Sequence, residues 1–209
     1  MGLFSLSEAT DMSGSAMTPG ISSLPQKDLF AENAERKGWH KDEATAARCD
    51  LSIEHIATSP HAGCQVISIW KKSVKGRLLT DIKADDNMVV YFSSHMAPVI
   101  AAILGNYLDK GGFAICATPK RRHLTKNFAC RIAADIAQRL NIPYYEDVAI
   151  AHTRQRVNVD FDLGTLPPEP NLIIFDDFVT TGSTIASMKR LLEPLGKNLI
   201  FFVGINNNM

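Results

Sequence analysis

The sequence predicts an α/β fold: a mostly parallel twisted sheet flanked by helices, preceded by a small N-terminal appendage. Three observations predict it. Short apolar runs alternate with helical patterns from Asn87 onward, an order that builds parallel sheets. The run Asn171 to Phe175 is apolar throughout, as expected of a strand buried on both faces. Gly111-Gly112, Pro143 and Gly196 mark the ends of successive elements.

Taken in order, residues 1–25 are rich in Ser, Gly, Met and Thr and read as a flexible arm. Residues 26–86 read as a hood or appendage. Gln26 to Ala47 carries a charged, weakly helical pattern with Leu29, Phe30, Ala34 and Trp39 as contacts. Cys49 to Ser59 is ambiguous, and Gln65 to Trp70 alternates as a strand. Lys71 to Lys83 is basic, with Lys71, Lys72, Lys75, Arg77 and Lys83 against one acid, Asp81.

Residues 87–209 form the expected core. Met88 to Phe92 is a strand candidate, and Ser94 caps a helix through about Leu108 that Gly111-Gly112 ends. Phe113 to Ala117 is the next strand. Leu124 to Leu140 is a helix, with Phe128, Ile132, Ile136 and Leu140 on one face and Asn141 and Pro143 as its stop. Tyr144 and Tyr145 begin a short extended segment. His152 to Pro170 is polar, then proline-rich, and too long for an ordinary connection. The strand from Asn171, a helix from Ile185 to Leu195, Gly196 as its cap and a last strand Leu199 to Val203 complete the order.

Composition bounds the function. Among 209 residues, 22 basic side chains balance 22 acidic ones, so no global field draws the chain to nucleic acid. A hydrophobic content of 45% supports a real core. The four cysteines are widely spaced, and Cys116 and Cys130 read as reduced core thiols. No apolar run reads as a membrane span and Met1 to Leu24 has no secretory pattern, so the expected location is cytoplasmic. Cys49, His55, His61 and Cys64 are a weak zinc candidate. Five, five and two residues separate them, which matches no common finger, and core cysteines with surface histidines explain them more simply.

The chemistry concentrates at Asp176-Asp177-Phe178-Val179-Thr180-Thr181-Gly182-Ser183-Thr184. A hydroxyl-rich loop at a helix N-terminus presents unpaired N–H groups and a positive dipole end to a phosphate. Gly182 permits a tight turn and close approach of an anion. Two carboxylates beside that anion would repel it unless they hold something neutral or cationic, such as sugar hydroxyls or a metal bridge. The bland reading is a capped helix after a core strand.

At these residues the chain resembles the type I phosphoribosyltransferases, whose motif for phosphoribosyl pyrophosphate (PRPP) is an apolar strand, two acids, two residues, Thr-Thr-Gly-x-Thr and a helix. The resemblance implies that Asp176 and Asp177 bind the ribose hydroxyls, and that Thr180, Thr181, Gly182, Ser183 and Thr184 bind the 5′-phosphate. It places pyrophosphate at the loop after the strand Phe113 to Ala117, with Lys120, Arg121 and Arg122 as candidates. From Thr118 to Arg131 there are five basic residues and no acid. A mobile cover that excludes water and stabilises the leaving group would draw on Arg154 and Arg156 as catalytic residues. Within the family, residues 112–195 look most like the competence-associated ComF type. Lys126-Asn127-Phe128-Ala129 stands for Arg-Gly-Phe-Asn there, keeping only the aromatic, and the cysteine ribbon of that group is missing.

The implied activity is that of a glycosyltransferase of the pentosyl class. Mg²⁺·PRPP is bound and the 5-phosphoribosyl group passes to a small-molecule nitrogen acceptor. Mg²⁺, the implied cofactor, is held mainly by ligand oxygens. Thr180 stands where 6-oxopurine transferases place an acid, so hypoxanthine and guanine are disfavoured acceptors. The alternative is a non-catalytic PRPP- or nucleotide-binding module, with the two basic stretches as a nucleic-acid surface, and a PRPP-site hydrolase is a third reading. A homodimer is the expected assembly should the chain not act alone.

Overall fold

The computed structural model describes residues 46–119, 127–151 and 160–207, all within the compact unit Asp42–Met209. The elements in chain order are β1 (Arg48–Cys49), β2 (Ala57–His61), β3 (Cys64–Ser73), β4 (Arg77–Leu78), α1 (Leu79–Ala84), α2 (Asn87–Leu104), α3 (Asn106–Asp109) and β5 (Phe113–Ala117). They continue with α4 (Phe128–Leu140), β6 (Tyr144–Tyr145), β7 (Ala149–Ala151), β8 (Phe161–Leu163), β9 (Asn171–Val179), α5 (Ser183–Leu192) and β10 (Asn198–Asn206).

Among the described residues the main sheet has the order β4-β1-β3-β10-β9-β5-β6, with β2 added to β3. The five strands from β3 to β6 run parallel, β1 and β2 each pair antiparallel with β3, and β4 pairs antiparallel with β1. This is the expected α/β class, with helices on both faces. One apolar core joins Ile173 and Phe175 of β9 to α2 and α4 through Phe92, Ile100, Ile132 and Ile136. The other joins Leu172 and Ile174 to Ile185, Met188 and Leu192 of α5. The alternation along β9 explains the split, because successive side chains of a strand face opposite sides. Both faces are covered, and residues 172–175 are buried without a break.

The structure departs from the sequence reading in several places. The run Met88 to Phe92 is the first part of α2 rather than a strand, and a short apolar run does not separate the two by itself. Its Val89, Phe92, Met96 and Ile100 recur at helical spacing and are buried. The whole helix has 18 residues with a mean hydropathy of 1.5, which meets the length and composition of a membrane span, contrary to the sequence reading. Here it packs as a core helix against α4. Second, α4 starts at Phe128, not Leu124. Asn127 is extended and its side-chain oxygen accepts from the Ala129 N–H at 3.0 Å, a capping bond that sets the first turn. Third, β3 lies inside the main sheet, beside β10, although residues 64–73 read as appendage.

Other expectations hold. Asn141 closes α4 in the left-handed conformation, whereas α5 ends at Leu192 and Gly196, also left-handed, caps the 3-10 turn Glu193–Leu195 that follows it. All four cysteines are buried free thiols, and burial pushes Cys49 and Cys116 up to about 12. Cys49 pairs with Lys72 at one end of β3 while Cys64 begins the other, so they cannot share one ion. Among the described residues no group of three or more His, Cys, Asp or Glu side chains is placed to hold a metal, which corrects the zinc candidate.

Candidate functional site

The strand β9 runs four residues beyond Phe175, so Asp176 and Asp177 lie within its C-terminal part rather than in the loop after it. Ligands of open parallel sheets bind beyond this end of the strands. Asp176 sits opposite Val203 in the register of β9 with β10. Next along β10 is Gly204, where an added Cβ would come 2.6 Å from the Phe92 ring and 2.9 Å from the Asp177 carbonyl oxygen. The missing side chain lets α2 press close behind the acid pair.

The two carboxylates are held differently. Asp176 Oδ1 accepts from the Thr118 hydroxyl at 2.9 Å and from the Asp177 N–H at 3.0 Å. Thr118 is fixed there because its own N–H donates to the Phe175 carbonyl at 2.9 Å, extending the pairing of β5 with β9 by one step. Burial, then the neighbouring Asp177 charge, raises the Asp176 carboxyl well above its ordinary value, and the Thr118 hydroxyl offsets this only in part. Asp177 is 7% exposed and lies 2.7 Å from Lys83 Nζ through Oδ2. The same ammonium stands 4.4 Å from the centroid of the Phe178 ring.

The loop Thr180 to Gly182 joins β9 to α5. Gly182 has φ +78 and ψ +10, and no side chain caps the helix behind it. The first helical bond runs from the Ala186 N–H to the Gly182 carbonyl at 2.9 Å. The amides of Ser183, Thr184 and Ile185 therefore precede the helical ladder, the arrangement that favours an anion. A Cβ on Gly182 would lie 2.7 Å from that of His61, so the position needs glycine for space as well as for conformation.

His61 comes from the β2–β3 hairpin. The hairpin turns through Ala62 and Gly63, both at positive φ, as a tight two-residue loop requires. Its apex is tied to α5 by Lys189, which donates to the Gly63 carbonyl at 3.4 Å. On the other side, Asn207 donates its backbone N–H to the Val179 carbonyl at 2.7 Å and its side-chain amide to the Thr180 hydroxyl at 3.1 Å. The loop is thus clamped by two segments remote in sequence.

The structure brings together Asp176, Asp177, Thr180, Thr181, Gly182, Ser183 and Thr184 as one continuous edge. Lys120, Arg121, Arg122, Arg154 and Arg156 lie outside the described residues. Sequence reading missed Thr118, Lys83, His61 and Asn207. Lys83 stood in the basic stretch and Thr118 opened the basic loop, but no spacing rule ties either to an acid in β9.

No family model matches the chain, and no curated protein matches it. Among solved structures it is similar to the orotate phosphoribosyltransferase from Aeropyrum pernix, with 17% identity and a TM-score of 0.38 over 61% of this chain. That match spans 64% of the Aeropyrum chain, just under two thirds of its length. It is similar to the adenine phosphoribosyltransferase from Saccharomyces cerevisiae at 13% identity and TM-score 0.42, covering 72% of this chain and 83% of that one. A hypoxanthine-guanine phosphoribosyltransferase from Bacillus anthracis shows 15% identity and TM-score 0.41, covering 59% and 80%.

Proposed function

We propose that the chain binds Mg²⁺·PRPP and transfers its 5-phosphoribosyl group to a nitrogen acceptor. The observation that carries this reading is the continuous edge from Asp176 to Thr184. It sets two acids, one of them beside a hydroxyl and one beside a cation, directly before a helix start whose N-cap is left-handed Gly182. Acids for sugar hydroxyls and amides for a phosphate thus adjoin in the order that a ribose 5-phosphate presents them.

In the transfer, the bond from ribose C1′ to pyrophosphate oxygen breaks and its electron pair leaves with pyrophosphate. The acceptor nitrogen supplies the pair for the new C1′–N bond and then loses its proton. The ribose hydroxyls rest on Asp176 and Asp177, and the 5′-phosphate on the amides and hydroxyls of Thr180 to Thr184. Lys120, Arg121 and Arg122 follow closely after Thr118, which stands at Asp176, and they take the pyrophosphate role. Arg154 and Arg156 take the covering role. Positioning and fixed charge then supply the catalysis. Mg²⁺ would be held mainly by the oxygens of PRPP, with Asp176 and Asp177 as hard oxygen donors beside it, and it would shield the charge of the pyrophosphate group. Thr180 offers no base for the acceptor, and its hydroxyl already receives the Asn207 amide.

Pyrophosphate release from Mg²⁺·PRPP across a panel of nucleobases and other amines tests this reading, with Asp177→Asn as control. The account expects release with at least one acceptor and its loss in the variant. PRPP binding without turnover on any acceptor would favour the non-catalytic PRPP-binding module instead.

A further inference from the structure

Two adjacent carboxylates are a poor place to receive a ligand as anionic as PRPP. A cation must offset them before the ligand arrives or together with it. The fold provides one in Lys83. This residue lies near the C-terminal end of α1, and that short helix is anchored on both sides. Leu79 and Ile82 are buried beneath it, and the Leu79 N–H donates to the Ala47 carbonyl at 3.0 Å. Arg77 before the helix and Asp85 after it form an ion pair at 3.0 Å. The ammonium is therefore presented by a fixed element. It meets Asp177 Oδ2 at 2.7 Å and stands 4.4 Å from the centroid of the Phe178 ring. The Asp177 side chain is 11% exposed and that of Lys83 45% exposed, so the cation closes the solvent side of an enclosed acid.

We propose that Lys83 is the resident counter-ion of the ribose-binding acids. It competes with a divalent cation for Asp177 and keeps the site receptive to PRPP when Mg²⁺ is scarce. The inference rests on the PRPP reading above. Without the ammonium, the acid pair would need the metal to cancel its repulsion, so Mg²⁺ would govern binding more steeply. A neutral lysine replacement that keeps the stem, Lys83→Met, isolates the charge, and Lys83→Arg restores it.

The test is calorimetric affinity for PRPP in the wild type, Lys83→Met and Lys83→Arg, each measured from micromolar to millimolar Mg²⁺. Lys83→Met should bind about tenfold more weakly at low Mg²⁺, as expected for loss of a close charge pair, and recover as Mg²⁺ rises. Lys83→Arg should follow the wild type. Independently of PRPP, Mn²⁺ alone should raise the thermal midpoint of Lys83→Met more than that of the wild type, because the metal then meets an uncompensated acid. A folded Lys83→Met with wild-type affinity and wild-type Mg²⁺ dependence would overturn the inference while leaving the PRPP reading standing. So would a loss of affinity that Mg²⁺ does not restore, or an equal response to Mn²⁺. A wild type that binds no PRPP at any Mg²⁺ level would remove the PRPP reading first and this inference with it.

Discussion

Asp176 and Asp177 are neighbours in the chain, yet they face different surroundings. The β5 side offers Asp176 a neutral hydroxyl from Thr118, and desolvation of its carboxyl, then the neighbouring Asp177 charge, raise it above the ordinary range. The α1 side offers Asp177 the Lys83 ammonium. The difference shows how two adjacent acids coexist at the closed end of a sheet. One carboxyl is raised by desolvation and by its neighbour's charge, and the other sits against a counter-ion.

This contrast can be broken by treating the two acids alike. Asparagine resembles a protonated aspartate, so the substitutions should be unequal. Asp177→Asn should lower PRPP affinity by about 10- to 100-fold, as for loss of a charge-assisted hydrogen bond. Asp176→Asn should cost clearly less, and calorimetric titration of both variants checks the order. Equal losses would remove the distinction between the acids.

Packing sharpens the Asp177 side. Gly204→Ala places a Cβ against the Phe92 ring and the Asp177 carbonyl, and should destabilise the fold by about 1–3 kcal/mol in denaturant titration, as overpacking does.

The protonation of Asp176 has a pH signature. Its folded carboxyl binds its proton more tightly than the unfolded chain does. The resulting contribution to stability is fully present below the ordinary carboxylate range and is lost as pH rises through the raised folded value. The loss is about 1.4 kcal/mol for each unit by which the folded value is raised. Unfolding free energies of the wild type and Asp176→Asn across that window should converge on a flatter profile in the variant. The smallest effect is expected on the β5 side. Thr118→Val removes a single hydroxyl and should cost about 0.5–1.5 kcal/mol in thermal or denaturant unfolding, while holding the Asp176 proton more firmly.

The same contrast marks what the sequence makes legible. The acids, the Thr-Gly loop and the start of α5 are consecutive, so their chemistry and order can be read without a fold. Gly182 also announces itself, as the one residue of the loop that can turn tightly and let an anion come close. The demand of space there comes from His61, brought by a hairpin more than a hundred residues earlier in the chain. Thr118 and Lys83 reach the acids through sheet pairing and helix placement, which no local pattern records. Val89 and Val90 mislead for a different reason. A short apolar β-branched run suits a buried strand and a buried helix equally, and only packing against α4 decides. The basic residues of the pyrophosphate and covering roles are legible as charge, and their place remains a matter of the proposed function.

The central claim is that the edge from Asp176 to Thr184 cradles PRPP. Isothermal titration of the chain with PRPP in millimolar Mg²⁺ tests it most directly, with Asp177→Asn alongside. The account predicts saturable, stoichiometric binding that the substitution weakens by at least about tenfold. No saturable binding by the folded wild type, or equal binding by the variant, would contradict it.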